Sequence, residues 1–175
     1  MLFPLAWLIS LVALPSLVQE PAPRFAHVAT TPVTARAFFD TKSPGVVELA
    51  PGTPVLVLEV REPWARVSVP GGLDLWVHRD FVTWKGSDGS ITQGNVNARP
   101  LPSTEPPSTS VGRFTSGEAV VRVGHEGEWF QVRAPERLGA WVPLESLIIL
   151  SAEPTGWAEE WKSAATARAP RREEP

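Results

Sequence analysis

Trp64-Ala65-Arg66-Val67-Ser68-Val69-Pro70 and the following Leu75-Trp76-Val77-His78 return 65 residues later as Trp129-Phe130-Gln131-Val132-Arg133-Ala134-Pro135 and Ala140-Trp141-Val142-Pro143. Gly52 and Gly117 keep the same spacing. Upstream, Val33-Thr34-Ala35-Arg36 recurs as Val96-Asn97-Ala98-Arg99 at an offset of 63. The two extra residues fall between these blocks, where Pro100-Leu101-Pro102-Ser103-Thr104-Glu105-Pro106-Pro107 reads as a loop. An insertion confined to a loop, with register intact on either side, is the mark of two copies of one fold. Each copy then has about 55 to 60 residues, small for a domain.

The copies read as strands. Pro54–Val60 is a β-branched run after the turn pair Pro51-Gly52, and Trp64–Val69 alternates with period two after the breaker Glu62-Pro63. Pro70-Gly71-Gly72 then turns the chain into Leu75–His78. Copy two repeats this as Glu118–Val123, a turn at His125–Glu128, Trp129–Ala134 and Ala140–Val142. Strands at roughly ten-residue spacing with turn chemistry between them predict a small antiparallel barrel. Alternation puts Ala65, Val67 and Val69 on one face, facing the core, and leaves Trp64 at the rim. Phe130, Val132 and Ala134 predict the same for Trp129. A rim indole offers a flat apolar ring with an N–H donor at its edge, suited to a sugar face or an extended peptide. Capping the open end of a small barrel is the competing use of such rings.

Composition narrows the function classes. The chain has 175 residues, a formal net charge of −3, eight Trp, nineteen Pro and no Cys. Without cysteine there is no disulfide, thiolate metal site or cysteine nucleophile. The proline content argues against a helical bundle. Charge is even: residues 33–84 and 94–150 each carry five basic and six acidic side chains. No segment forms the positive stripe that nucleic-acid binding exploits, so a protein or glycan partner is favoured.

The chain ends differ from the repeat. Met1–Val18 is uncharged, and Leu5–Leu14 is nearly all apolar between Pro4 and Pro15. It is short for a membrane span and suits the apolar core of a secretory signal, with an uncleaved anchor as the alternative. Export to the periplasm or cell envelope follows, with membrane contact only if this segment is retained. Between the copies, residues 85–89 read as a linker of flexible composition, with Trp84 a candidate for contact between the barrels. After Leu150, Trp157–Ala169 is rich in helix formers and places Trp157, Trp161 and Ala164 or Ala165 on one face. That helix is expected either to dock on the second barrel or to offer a partner surface through Trp157 and Trp161.

Residues for chemistry are sparse. His27, His78 and His125 stand apart in sequence, without the spacing of a zinc site. No Gly-x-Ser-x-Gly elbow is present, and Glu126 and Glu128 sit in a turn with no apolar burial to raise a pKa. The expectation is a non-enzymatic protein with no catalytic residue, metal or cofactor.

Taken in order, "VNAR", a polar loop, "GE", a β-branched run, "WFQV", a hairpin and "AWVPLESL" resemble a bacterial SH3 domain. "VTAR", "PGTPVLVLEV", "WARV" and "LWVHRDFV" resemble a second. The resemblance covers about residues 27–84 and 90–150. It departs at Leu75 and Ala140, where the family usually has Gly before the second Trp. The loop after the first strand is Phe38-Phe39-Asp40 in one copy and Leu101-Pro102-Ser103 in the other, so grooves lined from it would differ. The resemblance implies two SH3-like barrels in tandem, 27–84 and 90–150, after an N-terminal segment 1–22 and before a helix and tail, 151–175. It implies a binding module outside the cytoplasm, recognising peptidoglycan or its peptide stems. The expected ligand-binding aromatics are Trp64, with Phe38 and Phe39 completing a shelf, together with Trp76, Trp129 and Trp141. The alternative is an envelope scaffold that holds another protein through the barrels and the helix.

Overall fold

Short β-branched runs punctuated by Gly and Pro turns give, among the described residues, an all-β fold with one short C-terminal α-helix. The computed structural model describes residues 24–169, so the segment 1–22 read as a signal and the end of the tail lie outside the described residues. Copy one supplies β1 (Arg24–Val28), β2 (Val33–Arg36), β3 (Gly45–Leu49), β4 (Pro54–Arg61), β5 (Trp64–Ser68), β6 (Leu73–His78) and β7 (Val82–Lys85). Copy two supplies β8 (Asp88–Ile91), β9 (Val96–Ala98), β10 (Gly112–Phe114), β11 (Ala119–Glu126), β12 (Trp129–Ala134), β13 (Ala140–Pro143) and β14 (Leu147–Ile149). Helix α1 spans Trp157–Ala167.

The sheets are not built copy by copy. One runs β14-β1-β4-β5-β13-β2-β3; the other runs β6-β12-β11-β8-β7. A Trp76–Arg99 bridge joins β6 of the second sheet to the chain at the end of β9, which pairs with β10. Strands β6 and β7 therefore leave copy one for the sheet of copy two, and β13 and β14 make the reverse journey. Leu75 lies opposite Val132, and Ala140 opposite Val67. The arrangement is two-fold in pattern down to its irregularities. A register shift falls between Val57 and Glu59 in β4, and its counterpart falls between Arg122 and Gly124 in β11. The expected barrels at 27–84 and 90–150 thus share strands. Neither sheet closes into a hydrogen-bonded cylinder among the described residues.

Two crossings carry the exchange, and they pack against each other. Ser68 Oγ donates to the Glu136 carbonyl at 2.7 Å, and the Glu136 carboxylate accepts the Gly71 N–H at 2.6 Å. Gly72 has φ +80°, and a Cβ there would sit 1.8 Å from the Ala134 carbonyl oxygen, so only glycine admits this approach. Val69 and Leu138 are buried in the same crossings. Because the chain passes between the sheets twice, the buried aliphatics of both copies form one continuous cluster rather than two separate cores. The predicted inward set, Ala65, Val67 and Val69, is fully buried, as are Val132 and Ala134. Phe130, placed with them in the sequence reading, is only partly buried against this cluster.

Residues 85–89, expected as a flexible linker, are instead the tip of a hairpin. Lys85 pairs with Asp88 across Gly86-Ser87, and Gly86 has φ +66°, as a two-residue turn with glycine first requires. Trp84 lies over Gly89, where a Cβ would meet its ring at 2.5 Å, and it meets the Phe130 ring edge-on at 4.9 Å. Its place is within the second sheet rather than at a contact between separate barrels.

Helix α1 docks chiefly on the first sheet. Trp157 is buried and meets Phe25 edge-on at 5.1 Å and His27 at 5.4 Å. His27 Nε2 lies 2.9 Å from Glu160 Oε1, and the Trp161 N–H reaches both Glu136 carboxylate oxygens at 3.1 Å. At its C-terminal end the Arg168 guanidinium donates to the Pro70 carbonyl. Burial, and next the charge of Arg133, hold Arg168 below the ordinary guanidinium value, while Asp74 and Glu136 oppose the shift. The sequence explains why the helix packs on the first sheet. Phe25 and His27 lie beneath the helix, whereas their counterparts at an offset of 63 are Asp88 and Ser90.

Candidate functional site: two aromatic clefts

The repeated Trp of β5 and β12 stands at the wall of a cleft in each sheet. The first cleft, of about 600 Å³, is lined by Thr41, Glu62, Pro63 and Trp64 of copy one and by Pro143, Leu144 and Glu145 of copy two. The second, of about 210 Å³, is lined by Trp129, Gln93, Asn95, Val96, Asn97, Arg99 and Thr104 of copy two and by His78 and Phe81 of copy one. Strand exchange causes this mixture. Pro143, the last residue of β13, lies opposite Trp64, and His78 lies likewise opposite Trp129. Each cleft therefore exists only where both copies meet.

Local geometry around each cleft comes from the repeated arginine. Arg36 Nη1 donates to the Ser43 carbonyl at 2.7 Å, and Arg99 Nη1 donates to the Ser108 carbonyl at 2.5 Å. The separations are seven and nine residues, so the two-residue insertion lies inside the loop that this bond closes. Ser43 and Ser108 are both buried, and their hydroxyls bond the loop backbone at Phe38 N and the Leu101 carbonyl. These contacts hold Thr41 and Thr104 over their clefts. The pairing of Arg36 and Arg99 with buried serines was a readable signal that the sequence analysis missed.

The expected ligand-binding aromatics separate into three settings. Trp64 and Trp129 are half-buried cleft walls. Trp141 is 6% exposed and meets Phe39 edge-on at 5.1 Å. The Arg61 guanidinium lies 5.2 Å from the Phe39 ring centre and 5.7 Å from that of Trp141. Phe39 is 47% exposed and belongs to this stack rather than to the cleft lining of Trp64, while Phe38 packs against the core. The expected Phe38–Phe39–Trp64 shelf is thus not assembled, because β13 brings Trp141 beside the loop first. Trp76 is half-buried opposite Gln131 and bridged to Arg99. Trp157 and Trp161, expected as a partner surface, are turned to this chain's own sheet and to Glu136.

Histidines scattered in sequence acquire carboxylate neighbours in space. His78 Nδ1 lies 3.3 Å from Asp80 Oδ2, and its Nε2 lies 3.5 Å from Glu128 Oε2. Arg79 Nη2 bonds the other oxygen of Glu128 at 2.8 Å. The Trp129 ring meets His78 edge-on at 5.3 Å. His125 is exposed near the end of β11. Among the described residues no group of three or more His, Asp or Glu side chains is placed to hold a metal ion, and no helix is long and apolar enough to cross a membrane. The chain matches no protein-family model, and comparison with curated proteins returns no match.

Proposed function

We propose that this is an exported, non-enzymatic protein of two SH3-like units that binds cell-wall peptidoglycan or its peptide stems in the aromatic clefts. The observation that carries this reading is the equivalent placing of Trp64 and Trp129. Each lines a cleft to which the other copy also contributes residues. A half-buried indole on a rigid strand loses little on binding and supplies apolar area at a fixed angle. Purified protein is expected to co-sediment with insoluble cell-wall sacculi, and a folded Trp64→Ala variant to be largely lost from the pellet. Absence of wild-type protein from the pellet overturns the proposal.

The scaffold reading draws on one feature. Ile148 and Ile149 on the edge strand β14 are 52% and 41% exposed. At the equivalent positions the edge strand β7 carries Thr83 and Trp84, the latter packed over Gly89 and Phe130, and Lys85 follows as an exposed charge that discourages edge pairing. An envelope protein held by this chain would use that edge, since the helix has its indoles engaged. Stable self-association without sacculus binding would favour it.

A further inference from the structure

The two clefts are equivalent in position but not in charge, and the difference assigns a ligand chemistry to the first. Around Trp129 the acidic groups are already matched: Glu128 is held by Arg79, and Asp80 and Glu128 flank His78. At the positions corresponding to His78, Arg79 and Glu128, the first cleft has Pro143, Leu144 and Pro63. No cation is therefore built into it. Yet it keeps Glu145, the counterpart of Asp80, and adds Glu62 where the second cleft has Gly127. Glu62 and Glu145 are exposed at the lining of the first cleft and form no ion pair or hydrogen bond with the described residues. The nearby Arg61 does not serve them, because its Nε bonds Glu59 at 2.5 Å and its guanidinium is stacked over Phe39 and Trp141. The Trp64 indole N–H likewise has no partner among the described residues.

We infer that the first cleft takes an extended peptide segment bearing a cationic amine. Its aliphatic portion lies against Trp64, Pro63, Pro143 and Leu144, and its ammonium group lies between Glu62 and Glu145. Apolar lining gives area, and the unmatched carboxylates give sign selectivity. The second cleft, smaller and internally neutralised, does not share this preference. The inference rests on the reading of the clefts as ligand sites and narrows it to one cleft and one charge.

The test uses the full chain, uniformly ¹⁵N-labelled, titrated with the pentapeptide acetyl-Gly-Ala-Lys-Leu-Ala-amide. Its Nε-acetyl-lysine version is the neutral control. The Trp64 indole cross-peak, assigned with Trp64→Phe, is expected to shift with the lysine peptide, while the Trp129 cross-peak stays in place. The acetylated peptide and a Glu62→Gln, Glu145→Gln double variant are each expected to bind about tenfold more weakly, as two exposed charge pairs allow. These substitutions are on the surface, and the unchanged remainder of the spectrum reports that the fold is kept. Equal shifts with both peptides, or equal affinity in the double variant, overturn the inference. Sacculus co-sedimentation of the wild-type protein, set beside its peptide titrations, separates the two proposals. Wild-type pelleting with no preference for the lysine peptide over its acetylated version leaves the cell-wall reading standing and refutes the cationic ligand. Lysine-selective binding with no pelleting of wild type does the opposite.

Discussion

Asp74 belongs to copy one and Arg133 to copy two, and only the exchanged strands place them opposite one another. Arg133 Nε meets Asp74 Oδ1 at 2.5 Å, and Nη2 meets Oδ2 at 3.3 Å, a two-pronged pair with side chains 14% and 29% exposed. The gross Coulomb attraction at this distance is about 7 kcal/mol at an effective dielectric near 20. Desolvation and side-chain ordering offset most of it. A half-buried, bidentate pair should retain about 1–2 kcal/mol, more than the ~0.2–1 kcal/mol of an exposed one. Asp74→Ala, Arg133→Ala and the double variant, each unfolded in urea, form the cycle that isolates this coupling. Arg133→Ala is expected to be the more costly single change, because its Nη1 also donates to the Arg168 carbonyl at 2.5 Å. The one continuous core predicts a single cooperative transition for every variant. A coupling within about 0.3 kcal/mol of zero would refute the cross-copy pairing, since additive behaviour is what separated residues show.

Two further variants probe the features that hold the exchange in place. Trp157→Ala removes the ring that meets Phe25 and His27, and should cost about 3 kcal/mol in urea unfolding, with loss of the helical component of the circular dichroism spectrum. Gly72→Ala should cost about 3 kcal/mol or more, combining the positive φ with the 1.8 Å approach to the Ala134 carbonyl oxygen. Gly52→Ala is its control: φ is +75° but the surrounding space is open, so only about 1–2 kcal/mol is expected, and equal costs would contradict the crossing geometry.

Much of the local structure was legible because it depends on period and punctuation. The alternation in Trp64–Val69 sets Ala65 and Val67 inward, and both are fully buried. The aligned Trp64 and Trp129 end at equivalent clefts, as repetition with preserved register requires. The exchange was not legible, for a specific physical reason. Leu75 would meet Val67 if copy one closed on itself and meets Val132 when the strand crosses, and both partners are valine. Residue chemistry cannot distinguish pairings that the duplication has made identical. The hairpin at 85–89 was hidden because Gly86-Ser87 suits a flexible linker as well as a tight turn, and the deciding pairs, Val82–Ile91 and Trp84–Gly89, are apolar and unremarkable in sequence. The cleft partners Pro143, Leu144 and Glu145 lie about 80 residues from Trp64 and became its neighbours only through the crossing. The Glu128 carboxylate beside His78 was missed likewise: it reaches the ring from the turn before β12, fifty residues away in sequence.

Which copy β6 and β13 pair with is the point on which the clefts depend, and nuclear Overhauser contacts read it directly. Exchanged copies give backbone contacts between Leu75 and Val132 and between Ala140 and Val67. Contacts from Leu75 to Val67 and from Ala140 to Val132 would mean that each copy folds on itself, and that no cleft is shared between them.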